Sequence, residues 1–205
     1  MDVIRIENEL KKRVSLPYKW GRKQNNDWDK KTNFIYTTFS FSTLLKNNEP
    51  LNQLLQEYAL NRWYNFWSAM AVEFLFASHL KVKPNKNAFD KLVDFQIDAI
   101  YFDHKTTVFP VGFNQSFQYA KNNKKELIEW LYNNQSQEGR KHFKNRLFIV
   151  LFDKSNNEHW KMKAEIQLLK QEIDNYVKHF SIHNLTKLNY DNQAILSDII
   201  WVEKE

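Results

Sequence analysis

Asp94, Asp103 and Lys105 are the residues whose types and spacing could act on a metal ion or a phosphate. They lie in the stretch Leu92–Pro110, LVDFQIDAIYFDHKTTVFP, which reads as two β-strands joined by a two-residue turn at Asp98-Ala99. Asp at the first turn position is a hairpin signal, although Ala stands where Gly is usual. Such a turn sets Ile97 against Ile100, Gln96 against Tyr101 and Phe95 against Phe102. One step further it sets Asp94 against Asp103. Carboxylates facing each other across an antiparallel ladder repel, and Asp is depleted in strands, so something must offset the pair. A divalent cation would. Strand alternation puts Lys105 on the face of Asp103 and His104 on the opposite face, so no side-chain role is expected for His104.

Glu73 is a fourth candidate. Its helical neighbours Ala69, Met70, Phe76 and Ala77 are all apolar. A carboxylate on such a face is costly unless it is paired or bound to a cation, and a Lys or Arg62 at the helix edge is the alternative partner.

The order Val93-Asp94, a short hairpin, then Asp103-His104-Lys105 in a hydrophobic strand resembles the PD-(D/E)xK nuclease superfamily, with Val93 where Pro is usual. The resemblance covers about residues 51–152 and implies a restriction-endonuclease-like αββαβ core with a mixed central sheet. It implies that Asp94 and Asp103 hold Mg²⁺ or Mn²⁺, with the backbone carbonyl of His104 as a further ligand. Glu73, on the helix before the hairpin, would bind the metal or orient water. Lys105 would position the attacking water and stabilise the phosphate. Gln115 and Tyr119, four apart on an expected helix from Gln115 to about Asn134, are similar to a Gln-xxx-Tyr pair that contacts DNA or supports the site in some members.

The elements that must position these residues follow from periodicity. Residues 2–14 carry Val3, Ile6, Leu10 and Val14 at helical spacing, and Pro17 ends that helix. Residues 34–45 suggest short helical turns capped by Ser40 or Ser42. Pro50 falls in the first turn of an expected helix that runs through 51–79 as one or two segments. Residues 81–91 read as a basic loop. Leu147–Phe152 is a continuous apolar run, as in a strand buried on both faces. An amphipathic helix is expected over 160–180 and a last strand over 195–202. The expected organisation is one α/β domain: a helical N-terminal extension over 1–50, the core over 51–152, and a C-terminal helix and strand over 153–205.

Composition agrees with a polyanion partner. The 205 residues carry a formal charge of +6, and 16% are aromatic. Tyr18 to Trp28 interleaves aromatic, basic and amide side chains, suited to stacking bases. Lys121, Arg140, Lys141 and Lys144 are candidate nucleic-acid contacts, with double-stranded DNA the expected substrate and a homodimer compatible with it. There is no Cys, which excludes thiolate metal sites and disulfides and suits a cytoplasmic location. No signal peptide is read at the N-terminus, and no apolar run reaches the ~18 residues of a membrane span. Three functions compete: a metal-dependent endonuclease of restriction, repair or phage-defence type; a non-cutting nucleic-acid-binding member of the same fold; and an unrelated α/β interaction protein.

Overall fold

A computed structural model describes residues 2–19, 26–85, 93–134, 144–190 and 193–205. The chain is α/β, with a mixed six-stranded sheet and helices, and it divides into two compact units. Residues 1–74 and 163–167 form the first; 75–162 and 168–205 form the second. The division falls inside helices. No helix among the described residues is long and apolar enough to cross a membrane.

The first unit is helical. Helix α1 (Val3–Val14) starts at Asp2, whose carboxylate accepts from the Ile4 and Arg5 N–H groups. Helix α2 spans Asn26–Lys31, and α3 (Phe41–Asn48) is capped by Ser40. Helix α4 is one continuous element, Gln53–Ala77, that carries on into the second unit. It starts three residues beyond Pro50, later than the sequence suggests, because the Asn52 side chain accepts from Leu55 N–H and does the capping. Buried Arg13 donates from its terminal nitrogens to the Leu16 and Pro17 carbonyls and to Asn61. Arg62 is held by Asp29, Thr32 and Tyr36. In the described part of the aromatic segment half-buried Trp28 sits edge-on to Tyr58, and exposed Lys19 pairs with Glu57. Residues 20–25 lie outside the described residues.

The second unit holds the sheet: β1 (Val82–Pro84), β2 (Phe95–Ile97), β3 (Ile100–Val108), β4 (Arg146–Asp153), β5 (Thr186–Tyr190) and β6 (Gln193–Lys204), in the order β1-β2-β3-β4-β6-β5. Strands β1, β2 and β3 are antiparallel neighbours, β3, β4 and β6 run parallel, and β5 returns antiparallel on β6. Two of these strands differ from expectation. Val82–Pro84, read as loop, pairs with β2, and β5 was not read at all. The rest of that loop, 86–92, lies outside the described residues. Leu147–Leu151 of β4 have no exposed surface, which explains their unbroken apolar run between two parallel partners.

Parallel neighbours need crossovers, and helices supply them. Between β3 and β4 run α5 (Phe117–Asn122) and α6 (Lys124–Asn134), not the single helix expected. The break is Asn123, whose backbone leaves the helical region while its side chain bonds back to the Tyr119 carbonyl, a competition Asn offers readily. The two helices bury Phe117, Leu127, Leu131 and Tyr132 with Phe148, Val150 and Ile199 of the sheet. Between β4 and β5 a 3₁₀ segment, His159–Ala164, precedes α7 (Ile166–Lys178), so the helix expected over 160–180 is shorter than its amphipathic pattern.

Candidate metal and phosphate site

The turn that builds the site is strained but matches its strands. Asp98 and Ala99 both have positive φ, 45° and 67°, as a two-residue hairpin turn of the favoured twist requires. The ladder has the expected partners from Ile97↔Ile100 to Phe95↔Phe102.

It then departs from expectation. Asp94 does not continue the ladder opposite Asp103. Its N–H goes to the Phe102 carbonyl at 2.9 Å, the residue already partnered by Phe95, while the Asp103 N–H turns to the Asn145 carbonyl beside β4. Two residues facing one is a β-bulge, and bulges re-aim side chains. The Asp94 carboxylate is re-aimed onto His104. One oxygen, Oδ2, accepts from the His104 backbone N–H at 2.7 Å and meets the ring Nδ1 at 2.7 Å. The His104 side chain, for which no role is expected from the sequence, thus meets the Asp94 carboxylate. Its ring alternates to the face opposite Asp103, as expected, and stacks on Phe95 with Phe76 beyond. With Nδ1 on Asp94, the other ring nitrogen is oriented as a base or a ligand. In an extended strand N–H and C=O of one residue leave on the same side, so the His104 carbonyl also points where β2 has ended.

Asp103 has a partner the sequence reading missed. Arg146, first residue of β4, is its register neighbour in the parallel pair. Its Nε and Nη2 both reach Asp103 Oδ2, at 2.6 and 2.5 Å. The available signal was Arg146 opening the apolar run that a right-handed crossover lays beside β3.

The electrostatics split the two carboxyls. Burial pushes Asp94 up, but the hydrogen bonds and charge of His104 outweigh it and hold Asp94 below the ordinary carboxylate range. For Asp103, burial and the Asp94 charge together outweigh the pull of Arg146, so its carboxyl is raised. The like-charge conflict read from the hairpin is therefore present, concentrated on Asp103. Lys105 is exposed at its surface, yet desolvation and the Arg146 charge lower its ammonium against the opposing pull of Asp103.

The remaining candidates are placed as follows. Glu73 is half-buried on α4 and belongs to the first unit, one helical turn before Phe76, which belongs to the second. Gln115 and Tyr119 do not share a helix face. Helix α5 begins only at Phe117, after the Ser116 cap, and Tyr119 donates its hydroxyl to Glu126. Lys121 pairs with Glu203, Lys124 with buried Asp198 and Lys125 with Glu129, so this basic group is neutralised within the protein. Lys144 is exposed, and Arg140 and Lys141 lie outside the described residues.

The second unit is thus an α/β fold whose central hairpin gathers two interacting carboxylates, an imidazole, a lysine and an arginine. Comparison with protein-family models, with curated proteins and with solved structures found no match.

Proposed function

We propose that the chain is a metal-dependent nuclease that hydrolyses phosphodiester bonds, with DNA as substrate. The observation that carries this reading is the hairpin itself: interacting Asp94 and Asp103, one with a raised carboxyl, next to Lys105 with a lowered ammonium. Perturbed groups of opposite kind gathered at one place are the usual mark of acid–base chemistry. The sequence of elements supports the restriction-endonuclease-like core as the finer description of the fold. From α4 the order is helix, strands, helix pair, strand, with β1 added before the hairpin.

The donor set suits a divalent cation. Two carboxylates in contact repel until a cation joins them, and a carbonyl and an imidazole stand beside them. Asp94, Asp103 and the His104 carbonyl would hold it, with the His104 ring as a further candidate donor. Hard carboxylate and carbonyl oxygens suit Mg²⁺ or Mn²⁺. The metal would supply a nucleophilic water at neutral pH and charge for the phosphate oxygens. Asp94, fixed by two hydrogen bonds, would orient its ligand oxygen. Lys105 gives up a proton more easily than an ordinary lysine, so its ammonium can donate to, or its amine accept from, the attacking water.

One observation favours a second reading. Arg146 already offsets the Asp103 charge, as it would in a member that binds nucleic acid without cutting it. Nicking of supercoiled plasmid separates the two. The nuclease nicks with Mg²⁺ or Mn²⁺ and stops with EDTA; salt-sensitive binding with no nicking under any divalent cation leaves the second reading.

A further inference from the structure

We propose that Arg146 is an exchangeable counterion: it holds Asp103 while no cation is bound, and is released to grip a phosphate oxygen of the substrate once a cation takes Asp103. The inference rests on the metal-site reading and adds to it a substrate-binding residue.

The geometry is specific. Both guanidinium donors converge on one oxygen, Asp103 Oδ2. A divalent cation on that oxygen would face the guanidinium at close range, and two cations on one oxygen repel. Either the cation stays out or Arg146 moves. Arg146 does not need Asp103 to stay near the site, because its guanidinium also lies over the Tyr132 ring at 5.6 Å and the Phe148 ring at 5.8 Å. That aromatic shelf is a second hold on a planar cation, of a kind lysine makes less well. The side chain is 12% exposed, so a small shift along the shelf brings its donors to the surface.

The charge balance names the ligand. On the side-chain side the carboxylates of Asp94 and Asp103 face two cations, Lys105 and Arg146. A divalent cation added to this set leaves the two side-chain cations without a counter-charge on the same face of the sheet. What fits is a tetrahedral oxyanion offering several acceptors to a planar fork, and a nucleic-acid phosphodiester is that group.

The test compares the parent with Arg146→Gln and Arg146→Lys at about pH 8, where carboxylates are ionised. Mn²⁺ alone is titrated by calorimetry, and a fluorescent DNA duplex is titrated in EDTA and in Ca²⁺. Arg146→Gln should bind Mn²⁺ about tenfold more tightly than the parent, since its competitor is gone. The same variant should bind the duplex as the parent does in EDTA, yet about tenfold more weakly in Ca²⁺. Arg146→Lys, which keeps a cation without the fork, should keep the parent's Mn²⁺ affinity and lose duplex affinity in Ca²⁺. Unchanged or weaker Mn²⁺ binding by a folded Arg146→Gln makes Arg146 a fixed brace and overturns the exchange while leaving the metal site standing. A parent that binds no Mn²⁺ overturns both.

Discussion

The two aspartates should respond in opposite ways when each is made neutral without metal. From the sequence alone Asp94 and Asp103 are equivalent partners in one repulsion, and either Asn substitution should relieve it. The structure separates them. Asp94 accepts two hydrogen bonds from His104 on one oxygen, both at 2.7 Å, and its carboxyl is lowered, so the fold favours its charged form. Hydrogen bonds to a charged group are worth roughly 1.5–3 kcal/mol and neutral ones about 1. Asn keeps one acceptor oxygen, so Asp94→Asn should cost on the order of 1–2 kcal/mol. For a chain of this length that lowers Tm by about 2–8 °C. Asp103 is raised, so the fold favours its neutral form. Asp103→Asn removes a repulsion worth roughly 0.2–1 kcal/mol and leaves an oxygen for Arg146, so stability should stay within about 1 kcal/mol of the parent or rise. Thermal and urea unfolding of the three proteins in EDTA decide it. If Asp103→Asn loses more stability than Asp94→Asn, the Arg146 ion pair dominates the site and the division of roles is wrong.

Other outcomes follow from the same geometry. Lys105→Gln should abolish cleavage, leave Mn²⁺ binding intact and not lower Tm, because it removes an ammonium that desolvation and the Arg146 charge already disfavour; activity, calorimetry and thermal scans read the three effects. Ala99→Gly should stabilise the protein by about 0.5–1 kcal/mol in urea without changing activity, since Ala99 at φ 67° holds a left-handed conformation that glycine adopts freely. Mn²⁺ affinity should rise with pH up to the raised Asp103 value, above the ordinary ~3.9, because a ligand carboxyl must be ionised. Without metal the stability terms have opposite signs. That of Asp103 is fully present below pH ~3.9 and lost as pH rises through its raised value, while that of Asp94 is present above ~3.9 and lost as pH falls through its lowered value. Urea titrations of parent and Asp103→Asn across this range should diverge most at the alkaline end.

Local signals made much of the second unit legible. The Asp98-Ala99 turn fixed the register of β2 on β3, and the apolar run Leu147–Phe152 marked the central parallel strand. What stayed hidden depended on contacts distant in sequence or on one extra residue. The bulge at Asp94 cannot be read from alternation, because it is the place where alternation fails, and it brings His104 into the site. Arg146 lies 43 residues from Asp103 and meets it only through the parallel register. Short strand β1, with Lys83 and Pro84, has the composition of a loop and becomes a strand by pairing with β2. Gln115 fell out of its expected helix because Ser116 caps the helix one residue later.

The proposed nuclease requires that the bulged hairpin bind a divalent cation through Asp94, Asp103 and His104. Calorimetric titration of Mn²⁺ into the parent, Asp94→Asn and His104→Gln measures that binding without a known substrate. The parent should bind Mn²⁺ saturably at millimolar concentration or below, with binding abolished by Asp94→Asn and weakened by His104→Gln. A parent that takes up no Mn²⁺, or an Asp94→Asn variant that binds it as the parent does, would rule out the metal site.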